Sequence, residues 1–280
     1  MPNDAEPGAG PIETQVAGAD AIAANRAAWD ASAPLHRGNA SWRRHAEGFA
    51  SDPAYSCFDP PMAAALREVG VAGKAAAQLC CNNGRETVSL MNLGAARAVG
   101  FDQSSSFFAQ ARELAALAGR DCEFVEADAT AIDPLYAESF DLVVVTIGVF
   151  GWMPDLGRFM GSAARVLRPG GRLLVHEEHP VASMFEPSSD TPLLVRHSYF
   201  HDAPVVLDKA IVYDGAPAPR VGRHYWFTHT LGRVVTATIA SGLAIERFEE
   251  YADNISTTEF DTLEEGRKLP LSYVLGARRA

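Results

Sequence analysis

Residues 176–179 form a cluster of side chains that can exchange protons, in the order His, Glu, Glu, His. Carboxylates and imidazoles act as general bases, so Glu177, Glu178 and His179 are candidate catalytic residues. In a β-strand, Glu177 and His179 would share one face and Glu178 would lie on the other. The alternative interpretation is that they are solvated polar residues at a strand end. The cluster lacks the H-E-x-x-H spacing of a helical zinc site, so no metal site is predicted.

A second candidate site lies in residues 75–102, which read AAAQLCCNNGRETVSLMNLGAARAVGFD. The pattern predicts a buried strand, a tight turn, a helix that stops near Gly94, and a second strand that ends at Asp102. The turn residues Asn82, Asn83 and Gly84 suit left-handed backbone dihedrals. Asp102 lies 18 residues beyond Gly84. An acid about 20 residues beyond such a turn accepts hydrogen bonds from ribose hydroxyls in dinucleotide sites, so a ribose-bearing ligand is predicted.

Strands and helices alternate through the centre of the chain. Strands are predicted over 75–79, 122–127, 140–147 and 172–177, with a further strand whose end is 99–102, and helices over 85–93, 107–118 and 155–167. This alternation predicts an α/β fold with a Rossmann-like, doubly wound sheet, mostly parallel with an antiparallel last strand. Ligands bind beyond the carboxyl ends of such strands, which is where Asn82, Asp102, Asp128, Thr146 and Glu177 fall.

The segments on either side of this core are expected to cover the site. Residues 1–17 are rich in Pro and Gly and are interpreted as a disordered lead-in. Residues 18–60 are predicted to form a helical lid, and 61–280 the α/β domain with a cap insertion over about 181–229. Within the insertion, 193–200 and 223–229 alternate like strands and are predicted to pair. A helix over 230–241 and strands over 243–251 and 271–278 complete the prediction.

Composition narrows the class of partner. The 280 residues carry a formal net charge of −11 and no Lys/Arg-dense block, which disfavours a nucleic-acid partner. The apolar runs are too short for a membrane span, and the N-terminus does not have the pattern of a secretory signal. The four cysteines include no C-x-x-C pair, so neither zinc nor disulfides are predicted. We expect a cytoplasmic protein, monomeric or homodimeric, with a small-molecule substrate.

The core resembles the class I S-adenosylmethionine-dependent methyltransferases. The resemblance rests on FDLV at 140–143, on LRPGGRL at 167–173, and on the placement of Asp102 and Asp128. It covers roughly 72–182 with the terminal helix and strands. It implies S-adenosylmethionine as cofactor, with Asp102 on the ribose and Asp128 and Ala129 on the adenine. The positions implied to bind the cofactor are Gln78, Cys80, Asn82, Asn83, Gly84, Asp102, Gln103, Asp128, Ala129, Thr146 and Gly148.

The first loop departs from the family pattern. The family has glycines where this chain has Cys80 and Asn82, and it has an acid on the first strand where this chain has Gln78. A neutral amide can still donate or accept hydrogen bonds, but it gives up charge attraction to an ammonium group. Asn82 can adopt a left-handed turn without being glycine.

The resemblance implies in-line methyl transfer to an O, N or C atom of a small molecule, as in natural-product or secondary metabolism. The alternatives are a non-catalytic cofactor-binding regulatory module and, less favoured, a nicotinamide-dependent dehydrogenase. Aromatic and imidazole side chains in the flanking segments are the candidates for the substrate pocket, although each one alone is as well explained by core packing. They are Trp29, Tyr55, Trp152, Tyr199, His224 and Tyr225.

Overall fold

The computed structural model describes residues 18–187, 189–213, 217–256 and 260–280. The predicted lead-in over 1–17 lies outside the described residues. The helices are α1 (Gly18–His36), α2 (Ala40–Ser51), α3 (Pro60–Val69), α4 (Arg85–Asn92), α5 (Phe108–Leu117), α6 (Leu156–Val166), α7 (Leu231–Ala240) and α8 (Asp261–Glu264). The strands are β1 (Ala75–Leu79), β2 (Arg97–Asp102), β3 (Glu123–Glu126), β4 (Phe140–Val145), β5 (Leu167–Glu178), β6 (Val205–Lys209), β7 (Arg220–Trp226), β8 (Leu243–Tyr251) and β9 (Ser272–Arg279).

Seven strands form one sheet in the order β3-β2-β1-β4-β5-β9-β8. The first five run parallel, and the order reverses at β1, which pairs with both β2 and β4. Strand β9 runs antiparallel between β5 and β8. The predicted fold class, a Rossmann-like and mostly parallel sheet with one antiparallel late strand, is confirmed.

The core lies on both faces of the central strands. Val143 and Val145 of β4 pack with Phe159 and Met160 of α6. Leu142 and Val144 of β4 point to the other face of the sheet and belong to a second apolar cluster, which includes residues of α3 and α4. A strand buried on both faces needs a continuous apolar run, which is why β4 has no polar residue after Asp141. The same packing brings the carboxyl ends of β1, β2 and β4 to one edge of the sheet.

The helix boundaries follow from their caps. Asp155 accepts a hydrogen bond from Arg158 N and begins α6, and Thr230 does the same for α7 through Arg233 N. These side chains satisfy backbone N–H groups that have no partner inside the helix. The predicted helices over 155–167 and 230–241 are therefore present, each shortened by its capping residues.

One predicted strand pairing is wrong. Strand β7 covers the predicted 223–229 segment in part, but its partner is β6, not residues 193–200. That segment consists of turns and extended chain, and Leu193, Leu194 and Val195 are 63%, 54% and 55% exposed. Its apolar residues have no sheet face to bury against, whereas 205–209 is nearer to β7 along the chain, so the pairing closes a shorter loop.

The N-terminal helix α1 is joined to the insertion through one buried amide. Asn25 Nδ2 donates to Tyr225 O at 3.0 Å, and Asn25 Oδ1 accepts from Tyr225 N at 2.7 Å. Nδ2 also lies 3.3 Å from Trp152 O. The side chain thus pairs with β7 as a neighbouring strand would, and α1, β7 and the segment after β4 form one unit.

Gly84 is predicted to be required by packing as well as by its turn. Its φ is +73°, and an added Cβ would lie 2.6 Å from Phe124 Cε1 and 2.8 Å from Ala111 Cβ. We expect Gly84→Ala to lower the free energy of unfolding by about 2–4 kcal/mol, measured by urea denaturation. Gly119 has a φ of +63° with nothing within 4 Å of the same position, so Gly119→Ala should cost only about 1 kcal/mol. Equal losses in the two variants would contradict the packing argument.

Candidate active site

A cavity lies beyond the carboxyl ends of the parallel strands, at the point where the strand order reverses. It encloses about 630 Å³ of space, including the part open to solvent. Its walls come from the loops after β1, β2, β3 and β4, from α1, and from the insertion. The lining residues are Ile22, Trp29, Cys80, Asn82, Asp102, Gln103, Asp128, Ala129, Ile147, Val149, Trp152, Met153 and Tyr213.

The loop after β1 keeps a left-handed backbone without the family's glycines. Cys80 has a φ of 58° and Asn82 a φ of 49°. Asn82 Oδ1 accepts a hydrogen bond from Asn83 N at 2.7 Å, which supports the turn locally. A non-glycine residue in this region costs about 1–2 kcal/mol, and Cys80 has no comparable local hydrogen bond in the described part of the chain. The turn is therefore held mainly by what surrounds it.

Asp102 ties this loop to β2. Its Oδ2 accepts from Asn82 N and its Oδ1 from Ser104 N, both at 2.8 Å. Burial raises the pKa of Asp102 to about 6, and the hydrogen bonds from these two N–H groups act in the opposite direction. The carboxylate is therefore oriented, ionised at neutral pH, and left with lone pairs for two further donors.

The wall beyond Asp102 suits a flat aromatic group. Asp128 Oδ1 accepts from Thr130 N at 2.8 Å, which fixes the turn that carries Asp128 and Ala129 onto the cavity. Ile147, Val149 and Met153 supply an apolar surface from the loop after β4. Sequence reasoning missed these three residues, although the position of that loop at the strand reversal was a usable signal.

The cavity wall includes some of the predicted cofactor positions and not others. Cys80, Asn82, Asp102, Gln103, Asp128 and Ala129 line it, whereas Gln78, Asn83, Gly84, Thr146 and Gly148 do not. Gln78 is buried beneath the loop, where it accepts from Thr87 Oγ1 at 2.6 Å. Gly84 faces Phe124 and Ala111. Gln78 and Gly84 therefore support the loop after β1 without lining the cavity.

Glu177 is a loop anchor in the structure. Its carboxylate accepts from Gly148 N at 2.5 Å, Phe150 N at 3.0 Å and Glu178 N at 2.9 Å. Burial raises its pKa to about 7, against the opposing effect of those three N–H groups. The catalytic role predicted for Glu177 stays a prediction, and in the structure its oxygens are directed to the backbone that forms the cavity wall.

His179 is also directed away from the cavity. Its Nε2 donates to Glu250 Oε1 at 2.9 Å, and its Nδ1 accepts from Val181 N at 3.1 Å. This pattern defines the neutral tautomer with the proton on Nε2. Both ring nitrogens are engaged, one with Glu250 of β8 and one with Val181 N, and the predicted catalytic role of His179 stays a prediction.

Glu178 lies on the opposite face of β5 from these two residues, within electrostatic range of Tyr213 on the cavity wall. Burial, followed by the nearby carboxylates of Glu86, Asp102 and Glu178, raises the pKa of the Tyr213 hydroxyl, although Arg85 opposes the shift. Tyr213 therefore remains a neutral phenol at physiological pH.

Aromatic rings from α1 and from the segment after β4 cover the cavity. The Trp29 ring lies 5.3 Å from Trp152 and 6.2 Å from Tyr213, edge-on or tilted in each case. Of the predicted substrate residues, Trp29 and Trp152 line the cavity. His224 lies behind Trp152, at 5.9 Å between ring centroids, and Tyr225 is paired with Asn25 through its backbone.

Two predicted substrate residues are placed elsewhere. Tyr55 packs on Phe49, and its hydroxyl lies 2.9 Å from His45 Nδ1, within the contact between α2 and the core. The Tyr199 hydroxyl accepts from Leu231 N at the start of α7. Both predictions relied on aromatic content near the core, which does not distinguish a pocket wall from a packing cluster.

The comparisons with known proteins agree with this geometry. Residues 77–175 match the family described as "Methyltransferase domain". A demethylmenaquinone methyltransferase of Thermus thermophilus is 40% identical over 85 residues, which are 30% of this chain and 38% of that protein. The matched segment thus spans less than half of this curated relative.

Solved structures with the same fold cover more of the chain. An S-adenosylmethionine-dependent methyltransferase from Mesorhizobium loti is 22% identical, with a TM-score of 0.54 over 83% of this chain and 100% of that chain. The Burkholderia thailandensis 1,6-didemethyltoxoflavin-N1-methyltransferase, solved with 1,6-didemethyltoxoflavin and S-adenosylhomocysteine, is 14% identical. Its TM-score is 0.55 over 95% of this chain and 92% of that chain.

Residues 77–175 thus match a methyltransferase domain, and the chain has the fold of solved S-adenosylmethionine-dependent methyltransferases. Among the described residues, no helix is both long and apolar enough to cross a bilayer. The same residues contain no group of three or more His, Cys, Asp or Glu side chains placed to hold a metal ion.

The buried carboxyl of Glu177 should make stability depend on pH. Because its folded pKa of about 7 lies above the ordinary value of 4.5, the folded state favours the protonated form. Its contribution to stability is therefore present below about pH 4.5 and is lost as pH rises through 7. Glu177→Gln does not titrate, so the stability difference between wild type and this variant should change by about 2–3 kcal/mol between pH 4.5 and 8. Urea denaturation at several pH values measures it, and a constant difference would contradict the assignment.

Proposed function

We propose that this protein is an S-adenosylmethionine-dependent methyltransferase that acts on a small-molecule metabolite. The single observation that carries the proposal is Asp102, fixed by Asn82 N and Ser104 N on the same cavity wall as Asp128 and Ala129. An ionised, oriented carboxylate at the end of the second parallel strand is suited to a pair of ribose hydroxyls. The methyltransferase domain match over 77–175 supports the same ligand.

The residues present fit the cofactor. Asp102 would accept hydrogen bonds from the ribose, and the Asp128–Ala129 turn with Ile147, Val149 and Met153 would hold the adenine. Adenine needs an apolar slot with a few polar groups at its edge, and this wall has both. When bound, the cofactor supplies a methyl group on a positively charged sulfur, which is the electrophile of the reaction.

The chain's own contribution is chiefly to position the reactants and to exclude water. Ile22 and Trp29 of α1 and Tyr213 of the insertion cover the cavity from the side opposite the sheet loops. Holding two reactants in line removes the entropic cost of bringing them together. A covered cavity also prevents water from competing for the methyl group. We therefore assign residues 18–60 and 181–229 to a lid and cap over the domain.

An acceptor that loses a proton needs a base, and Glu178 is the candidate. The oxygens of Glu177 are engaged with backbone N–H groups, and both His179 nitrogens are engaged with Glu250 and Val181. Glu178 extends from the other face of β5, where its charge acts on Tyr213. An acceptor without such a proton would not require Glu178.

A small-molecule acceptor is supported by the covered cavity and by the charge of the chain. The net charge of −11 disfavours a phosphate-rich polymer. The named acceptors of the comparison proteins are also small: demethylmenaquinone in one and 1,6-didemethyltoxoflavin in the other. Methyl transfer to O, N or C is equally compatible with the described wall. The four cysteines are free thiols, which suits a cytoplasmic protein.

Titration calorimetry with S-adenosylmethionine and S-adenosylhomocysteine tests cofactor binding. We expect both to bind, and Asp102→Asn to weaken both by about tenfold or more, because charge-assisted hydrogen bonds to the ribose are lost. Asp133 accepts from Leu135 N on the exposed surface, so Asp133→Asn is a matched control that should leave affinity unchanged. Absence of binding to the wild type would overturn the proposal. Tight binding with no product in a broad metabolite screen would instead favour a non-catalytic regulatory module.

The role of Glu178 is tested with whichever acceptor the screen identifies. For an acceptor that must lose a proton, Glu178→Gln should lower kcat by about 100-fold and remove the acidic limb of the pH–rate profile. Its affinity for S-adenosylhomocysteine should remain that of the wild type. Unchanged turnover of such an acceptor would show that Glu178 is not the base.

A further inference from the structure

A buried polar network connects the end of β1 to the first turn of α4. Thr87 Oγ1 donates to Gln78 Oε1 at 2.6 Å, and Gln78 Nε2 donates to Glu86 Oε2 at 3.3 Å. Gln78 and Thr87 are 1% and 0% exposed. Both ends of the Gln78 amide are therefore engaged with α4, so this side chain orients Glu86 and is not directed at the cavity.

Glu86 forms an ion pair with its neighbour in sequence. Arg85 Nε donates to Glu86 Oε1 at 2.8 Å, and the two side chains are only 23% and 12% exposed. Burial opposes ionisation of Glu86, but the Arg85 guanidinium and its hydrogen bond outweigh this and hold the pKa of Glu86 below its ordinary value. The site thus contains one fixed positive and one fixed negative charge side by side.

The ion pair lies next to the cavity. The Arg85 guanidinium carbon lies 5.9 Å from the centroid of the Tyr213 ring, and that ring lines the cavity. Within the described residues, Arg85 Nη1 and Nη2 make no hydrogen bond, so four N–H donors remain for another partner. Because the Arg85 side chain is still 23% exposed, these terminal donors are accessible to a ligand.

The order of strands places this pair at one end of a row of groups. Asp128 follows β3, Asp102 ends β2, and Arg85 with Glu86 follows the loop after β1, while the sheet order is β3-β2-β1. A ligand with its adenine at Asp128 and its ribose at Asp102 would therefore direct its remaining end towards α4. In S-adenosylmethionine that end is an amino acid with one carboxylate and one ammonium group.

We propose that Arg85 and Glu86 bind the amino-acid end of the cofactor, with Arg85 Nη1 and Nη2 donating to its carboxylate and Glu86 accepting from its ammonium. The negative charge that Gln78 cannot supply from β1 thus comes from α4, and Gln78 holds Glu86 in place. Gln78 is a positioning residue in this arrangement. The inference rests on the proposed function, because it assumes the same ligand.

Calorimetry with two ligands tests the assignment. S-adenosylhomocysteine has the amino-acid end, whereas 5′-methylthioadenosine has the adenosine part without it. For the wild type we expect S-adenosylhomocysteine to bind at least about tenfold more tightly. Glu86→Gln, which keeps the shape and can still accept from Arg85, should weaken S-adenosylhomocysteine by about tenfold or more and change 5′-methylthioadenosine by less than about twofold.

Further variants separate ligand binding from folding. Arg85→Lys keeps the charge but loses the planar fork, so it too should weaken only S-adenosylhomocysteine. Arg37 forms an exposed ion pair with Glu113, at 2.9 Å from Arg37 Nη2 to Glu113 Oε1, and Arg37→Lys is the matched control with no expected effect on either ligand. Thermal unfolding of each variant checks that the fold is retained.

The outcomes distinguish the two proposals. If the wild type binds neither ligand, the proposed function fails. If both ligands bind with similar affinity, or if Glu86→Gln and Arg85→Lys weaken both ligands equally or neither of them, the function stands and Arg85–Glu86 is a structural ion pair only. Selective loss of S-adenosylhomocysteine binding in the folded variants supports the assignment.

Discussion

The hydrogen bond from Asn82 N to Asp102 is the interaction on which the site depends. It joins the loop after β1 to the end of β2, and it holds a left-handed backbone in which Cys80 and Asn82 replace glycines. The same carboxylate, fixed from its other oxygen by Ser104 N, is the polar centre of the cavity. One side chain thus stabilises an unfavourable turn and presents its remaining lone pairs to a ligand. The cost of the turn and the shape of the site are linked through this contact.

The core of the fold was predictable because local patterns and long-range packing agree there. The bounds of β1 and β8 match the prediction. Asp155 caps α6 and Thr230 caps α7, and both helices were predicted. The roles of Glu177 and His179 were not predictable in the same way. Their partners are Gly148, Phe150 and Glu250, and the pairing is set by how distant strands and loops come together. A sequence shows which groups can titrate, but the fold decides which atoms they meet.

The departures from the family pattern are connected. Gln78 replaces the first-strand acid, and an ion pair between Arg85 and Glu86 lies in the first turn of α4, where the Gln78 amide donates to Glu86. The turn keeps its left-handed conformation without the glycines because Asp102 accepts from Asn82 N, with local support from the hydrogen bond of Asn83 N to Asn82 Oδ1. The segment at 193–200 was mistaken for a strand because alternation alone does not show whether a partner edge lies nearby.

The pairing of Asn25 with Tyr225 has a consequence for how the molecule is assembled. These residues are 200 positions apart, so α1 leaves the ribosome well before β7 and gains its strand partner only after β7 has been synthesised. Until then the Asn25 amide lacks its partner Tyr225, and the cavity that Trp29 lines is incomplete. In the finished protein the same contact makes the cover a single body, since α1 cannot swing away from the cavity without breaking its bonds to β7. Entry of a ligand therefore requires α1 and β7 to move together.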